Sequence, residues 1–160
     1  MSEHEPRVEP LTLPREYGRV KHTLRWADVS RRLSMAPHYW LATVRGDGRP
    51  HTVPIDGLWE TDCLWFGGSV ATVHHLNLLR GGEVSVHTED AIAPVIVEGI
   101  AELITPSSEQ AQMLTARSRA KYGYGDPAAY ASPLWMVVPH RALAWTSFPT
   151  DASRFVFGGR

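Results

Sequence analysis

One cysteine, a near-zero net charge and no long apolar run set the first limits on this chain of 160 residues. With Cys63 alone no internal disulfide can form, and such sparse cysteine suits a reducing compartment. Cys63 sits in an apolar strand context, which reads as a buried structural thiol rather than a nucleophile. The 16 Lys and Arg are balanced by 17 Asp and Glu, for a net charge of −1. That leaves no basic surplus for coating nucleic acid or an anionic membrane, and neither partner is expected. The eight histidines could add positive charge only at lower pH. No window approaches the ~18 uninterrupted apolar residues of a membrane span. The opening MSEHEPRVEPLTLPREYGR is charged and proline-rich, without the apolar run of a signal peptide, so the expected location is the cytoplasm. No Gly-Lys-Ser/Thr follows Gly67-Gly68, which excludes a Walker loop. No Gly-x-Ser-x-Gly elbow and no serine-histidine-acid order is present.

What is present is a globular composition, 43% hydrophobic and 21% charged, in a length that suits one domain with a real core. Pro6, Pro10 and Pro14 block regular helix in residues 1–22, which read as an extended arm before a domain of residues 23–160. A helix is predicted from about Leu24 to Ala36. Thr23 caps it, Trp26, Val29, Leu33 and Ala36 form its apolar stripe, and Pro37 ends it. Strands follow over His38–Arg45, Pro50–Trp59 and Cys63–Phe66, with Gly46-Asp47-Gly48 and Glu60-Thr61-Asp62 as turns. A short helix over Thr72–Leu79 ends at Gly81-Gly82. Glu83–Thr88 and Pro94–Ile104 are the next strands. Thr105-Pro106 starts a helix that runs to about Tyr122. Gly123–Ser132 is a loop, and Leu134–Trp145 is a last strand interrupted near Pro139. Six strands with short turns suggest a small antiparallel barrel, closed so that no long edge stays open.

Three features could carry chemistry. The loop Phe66–Thr72 leads into a helix N-terminus, where free N–H groups and the helix dipole attract phosphate, and Ser69 and Thr72 add hydroxyls. The same residues equally suit a tight strand-to-helix connection with Thr72 as a cap. His74-His75 invites a metal or haem reading, but neighbours on a helix point in different directions and no ligand spacing supports a metal site. Asp56 reads either as a general base or as a hydrogen-bonded acid beside a turn. The six tryptophans belong to core or interface, and one or two could wall a pocket for a flat aromatic ligand.

Trp26, Tyr39-Trp40-Leu41-Ala42-Thr43-Val44, Asp47-Gly48-Arg49-Pro50-His51, Val53-Pro54-Ile55 and Gly57-Leu58-Trp59 together resemble the split-barrel superfamily that includes pyridoxamine 5'-phosphate oxidase. More narrowly, the pattern is similar to the actinobacterial flavin/deazaflavin oxidoreductases, which often use coenzyme F420. The likeness continues through Asn77-Leu78, Val84-Ser85-Val86-His87-Thr88, Val97-Glu98-Gly99, Lys121-Tyr122-Gly123 and Ala144-Trp145, over roughly residues 24–157. It implies a mostly β, six-stranded antiparallel barrel of the FMN-binding split-barrel type, forming a homodimer with cofactor grooves between subunits. It implies that His51, Val53, Pro54 and Ile55 line one side with Gly68, Ser69, Thr72, His74 and Asn77, while His87 and Trp145 of the other subunit close the groove. The cofactor expected from the resemblance is F420, with FMN as the alternative and haem behind both, and it would hand a hydride to a small conjugated or unsaturated substrate. The resemblance carries over no acid-base residue. The alternative function is a non-catalytic protein on the same barrel that binds haem, a tetrapyrrole or another flat ligand. One departure stands out: Val73 and His74 occupy positions where such proteins place Arg or Lys against the cofactor phosphate. Each lost charge-assisted hydrogen bond is worth about 1.5–3 kcal/mol.

Overall fold

The computed structural model describes residues 5–158. The first four residues of the arm and the last two of the chain lie outside that range.

Strands β1 (Arg7–Pro10), β2 (Tyr39–Val44), β3 (Pro50–Ile55), β4 (Leu58–Glu60), β5 (Cys63–Phe66), β6 (Glu83–His87), β7 (Val95–Ile104), β8 (Leu134–Ala144) and β9 (Ser153–Val156) form one antiparallel sheet. The helices are α1 (Trp26–Met35), α2 (Val73–Arg80), α3 (Ser108–Tyr122) and the single turn α4 (Pro127–Tyr130). The sheet runs β1-β9-β8-β7-β6-β2-β3, and the β4–β5 hairpin joins it through β8. β8 is long enough to serve two partners on one edge. Trp135–Val137 pairs with β5, and Arg141–Ala144 pairs with β9. That division of one strand between two neighbours splits the barrel.

The described residues hold nine strands rather than the expected six. Pro50–Trp59 is two strands, parted at Asp56-Gly57, where the chain turns from β2 towards β5. The arm contributes β1, paired with β9 from Arg7↔Val156 to Pro10↔Ser153. Pro139 does not interrupt β8. It faces Gly99, and the register shifts between Glu98 and Gly99, so a bulge absorbs the missing N–H. A Cβ on Gly99 would lie 2.3 Å from the Val138 carbonyl oxygen, so only glycine fits opposite the bulge.

Two helix starts moved. α1 begins after Arg25 with no side-chain cap, and Leu24, ahead of it, donates its N–H to Ser153 Oγ at 2.8 Å. α3 begins two residues beyond Thr105-Pro106. Ser107 Oγ accepts from Gln110 N–H, and Gln110 Oε1 accepts from Ser107 N–H, a reciprocal box that satisfies two end donors at once. α2 starts as expected behind Thr72.

Two apolar clusters lie on either side of β5, all four of whose residues are buried. Leu64 and Phe66 point into the barrel with Trp26, Leu33, Tyr39 and Val137. Cys63 and Trp65 point outward, where α3 covers them with Leu114. β5 is therefore sandwiched, and its C-terminal end delivers the chain to the Gly67-Gly68 loop.

Candidate functional site

A cleft of about 800 Å³ opens where β5 ends, between the start of α2 and the α3–α4 segment. One wall is Pro54–Leu58 and the loop Gly67, Gly68 and Val70, with His74 and His75 above it. The opposite wall is Tyr122, Tyr124, Asp126 and Tyr130 from the end of α3 and from α4. Trp65, Phe66 and Trp135 line the cleft between the two. The predominance of apolar and aromatic surface suits a flat organic ring.

Gly57 holds the second wall in place. Its carbonyl accepts from Tyr122 OH at 2.9 Å and from Lys121 Nζ at 2.9 Å, and its N–H donates to Tyr122 OH at 3.0 Å. Lys121 Nζ also donates to Tyr39 OH at 3.1 Å and lies 4.7 Å above the Tyr39 ring. Burial lowers the Lys121 pKa to about 8, while Asp56 and Glu60 oppose the shift. Burial also raises the phenols of Tyr39 and Tyr122. Tyr122 stacks between His38, at 5.9 Å, and Tyr124, at 5.6 Å. Asp56 fastens the outer members of that stack: His38 Nδ1–H donates to one oxygen at 2.8 Å and Tyr124 OH donates to the other. Burial and the Asp56 carboxylate both push the Tyr124 phenol up. Asp56 is thus a hydrogen-bonded acid, one of the two readings the sequence left open.

The α2 end offers little charge. Thr72 Oγ1 donates to Ser69 O at 2.9 Å and accepts from His75 N–H and from His74 Nε2. All three of its hydrogen-bonding positions are occupied. Ser69 Oγ accepts from Ala71 N–H, which leaves its own proton for a partner. The N–H groups of Val73 and His74, at the first two helical positions, have no intrahelical acceptor. Burial, then the charges of His51 and His75, lowers the His74 pKa, so that imidazole is held neutral. His75 Nδ1 accepts from Trp135 Nε1 at 3.1 Å. His51, whose charge reaches His74, accepts at Nδ1 from Arg45 Nη2 at 3.0 Å. A planar ring therefore fits the cleft. A phosphate at the α2 N-terminus would meet N–H groups, a hydroxyl and a dipole, but no Arg or Lys on the helix start.

Of the residues singled out in the sequence, Pro54, Ile55, Gly68 and His74 line the cleft together. His51 is tied to Arg45, and Val53 packs against the barrel core. Ser69 and Thr72 hold the loop. Asn77 is buried, with Nδ2 donating to Thr43 Oγ1 at 3.0 Å. His87 pairs across β2 with Trp40, and Trp145 packs on Phe148, both away from the cleft lining. The sequence reading missed His38, Tyr124, Asp126 and Tyr130. For Tyr124, Asp126 and Tyr130 the signal was the segment Gly123–Ser132, expected as a loop but holding the single turn α4, which lines the cleft; His38 gave no such signal. Among the described residues, no group of three His, Cys, Asp or Glu gathers that could hold a metal ion. No helix there is long and apolar enough to cross a membrane.

A conserved hypothetical protein from Mycobacterium tuberculosis superposes with a TM-score of 0.67 at 18% identity, covering 79% of this chain and 88% of that one. A protein of unknown function from Agrobacterium tumefaciens gives 0.60 at 22% identity, over 89% of this chain and 62% of that one. An F420 reductase from Mycobacterium smegmatis gives 0.52 at 25% identity, over 68% of this chain and 90% of that one. No curated protein matches the sequence significantly. The family model described as pyridoxamine 5'-phosphate oxidase matches residues 27–146. Its match spans everything from α1 to the end of β8, so the chain belongs to the pyridoxamine 5'-phosphate oxidase-like family, whose split barrel serves flavin- and deazaflavin-related oxidoreductases.

Proposed function

We propose that the protein is an F420-dependent oxidoreductase, with FMN as the alternative cofactor, that passes a hydride to a small conjugated or unsaturated acceptor. The observation that carries this is the cleft itself, an aromatic slot running from the Gly67-Gly68 loop to the Tyr122–Tyr124 stack. Similarity to the F420 reductase supports the choice of deazaflavin. The helix start of α2, with Val73 and His74 where Arg or Lys would stand, favours neither cofactor, since it withdraws charge-assisted hydrogen bonds from the phosphate of both.

When bound, the cofactor supplies the hydride. The chain's residues bind and position. The end of β5 and its partner Trp135, with Phe66 and Trp135 on one face of the sheet and Trp65 on the other, would form the floor on which the ring rests. The N–H groups of Val73 and His74, with the Ser69 hydroxyl, would hold the phosphate. Tyr122, locked to Gly57, would fix the width of the slot and exclude water from its floor. A second copy completes the groove in this reading, its His87 and Trp145 closing the open side. Exposed Trp40 and Leu76 give such a copy apolar surface to cover.

The test is anaerobic mixing of purified protein with reduced F420 and a panel of conjugated acceptors, following the return of the oxidised absorption band. Turnover with F420 and none with reduced FMN is the expected result. No turnover with either, across acceptors, would overturn the assignment.

A further inference from the structure

The cleft carries fixed charge of one sign. Among its lining residues the formally charged Asp, Glu, Lys or Arg side chains are Asp56 and Asp126. Both stand on the wall that holds Tyr122, Tyr124 and Tyr130 or directly against it. The bases packed around that wall are each turned to another partner. Lys121 Nζ faces Gly57 O and Tyr39 OH behind the Tyr122 ring. Arg117 pairs with Glu60 at 3.0 Å, and Arg119 Nε donates to Gly125 O at 3.1 Å. Both faces of Tyr122 are taken, by His38 and by Tyr124, so a ligand in this half of the cleft meets the outer side of Tyr124, the Tyr130 ring and two carboxylates. That combination attracts cations and repels anions.

We propose that the α3–α4 half of the cleft binds a planar organic cation, a conjugated ring system bearing a pyridinium- or iminium-type nitrogen. For its meaning this rests on the oxidoreductase reading, in which the cation is the hydride acceptor and the reduced deazaflavin the donor. The chemistry suits the residues present. An acceptor of this class takes the hydride at a carbon conjugated with the positive nitrogen. The π pair moves to nitrogen, the positive charge is cancelled and no proton is consumed. No acid is therefore required, in keeping with a wall whose Asp56, His38 and Tyr124 are bonded to one another. The neutral product loses its attraction to the two carboxylates, which favours release.

The test needs no cofactor. N-methylquinolinium, quinoline and 1-naphthoate present rings of one size as a cation, a neutral molecule and an anion at neutral pH. Each is titrated into the full chain by calorimetry and by ligand-observed saturation-transfer NMR. The cation is expected to bind about tenfold more tightly than the anion, the ratio that about 1.4 kcal/mol produces. Its affinity is expected to fall with added salt while that of quinoline stays level. Asp126→Asn keeps the N-cap that Asp126 gives Ala128 N–H, since asparagine caps about as well as aspartate. Together with Asp56→Asn it is expected to erase the preference. The salt series on the unaltered chain stands even if the double variant does not fold. Cation binding in a protein that binds neither F420 nor FMN would keep this site and remove the oxidoreductase reading. Equal or tighter binding of 1-naphthoate, or a cation affinity indifferent to salt, would overturn the proposal even in a protein that binds F420.

Discussion

Gly57 has no side chain, and two groups, Tyr122 OH and Lys121 Nζ, make three hydrogen bonds to its peptide. A Cβ there would lie 3.0 Å from Leu64 Cδ1 and 3.2 Å from Tyr39 Cδ2, both fully buried neighbours. Gly57→Ala is therefore expected to cost about 1–3 kcal/mol by overpacking. A thermal melt would read this as a fall of roughly 2–4 °C per kcal/mol for a chain of this size. An unchanged midpoint would mean that Leu64 and Tyr39 yield without strain. Lys121 makes the second prediction at this scale. Its pKa is about 8 in the folded chain against an ordinary 10.5. Between those values the unfolded chain binds more protons, so stability rises with pH across that window. The buried phenols act the other way above about pH 10, where unfolded tyrosines ionise first. Urea midpoints should thus increase from about pH 8 to pH 9.5 in the unaltered protein, and that increase should be absent in Lys121→Met. An increase that persists in the variant would assign it to another group. Little of this was legible beforehand. Lys121-Tyr122-Gly123 stood out as a resemblance, but nothing in the sequence said that its amine and phenol meet at a glycine more than sixty positions away.

Among the elements, α2 decides how the cofactor phosphate is met. Its start was legible, because Thr72 is a capping residue placed after a glycine loop, and the structure puts its oxygen on His75 N–H. The neutrality of His74 was not legible, since it depends on burial and on His51 arriving from β3. Val73 is 38% exposed at the first helical position, so an arginine fits there without repacking. Val73→Arg is expected to tighten FMN by about tenfold, the gain of one charge-assisted hydrogen bond, and F420 by less. An equal or absent gain for the two cofactors, measured by equilibrium titration, would mean that the phosphate does not sit at this helix start. The strands teach a complementary lesson. Alternation and turns located seven of the nine, with β3 and β4 run together as one, but β1 and β9 are four-residue pieces whose partners are each other and β8. Short strands made by long-range pairing leave almost no local pattern.

At the scale of the molecule, the barrel and the cleft depend on different clusters. Leu114 belongs to the small cluster that fastens α3 to the outer face of β5. Leu114→Ala is expected to destabilise the fold by about 2–5 kcal/mol, with the denaturant slope unchanged. A loss below about 1 kcal/mol would mean that α3 is not integral to the fold. The proposed second copy predicts a particle of twice 17.8 kDa by sedimentation; a monomer at micromolar concentration would remove His87 and Trp145 from the site. The most direct measurement is titration of the purified protein with F420 and, separately, with FMN, following quenching of its tryptophan emission. Trp65 and Trp135 line the cleft and should report occupancy. Saturable binding of F420 at about tens of micromolar or tighter, with FMN weaker, is the predicted result. Absence of saturable binding by either cofactor in that range would contradict the account.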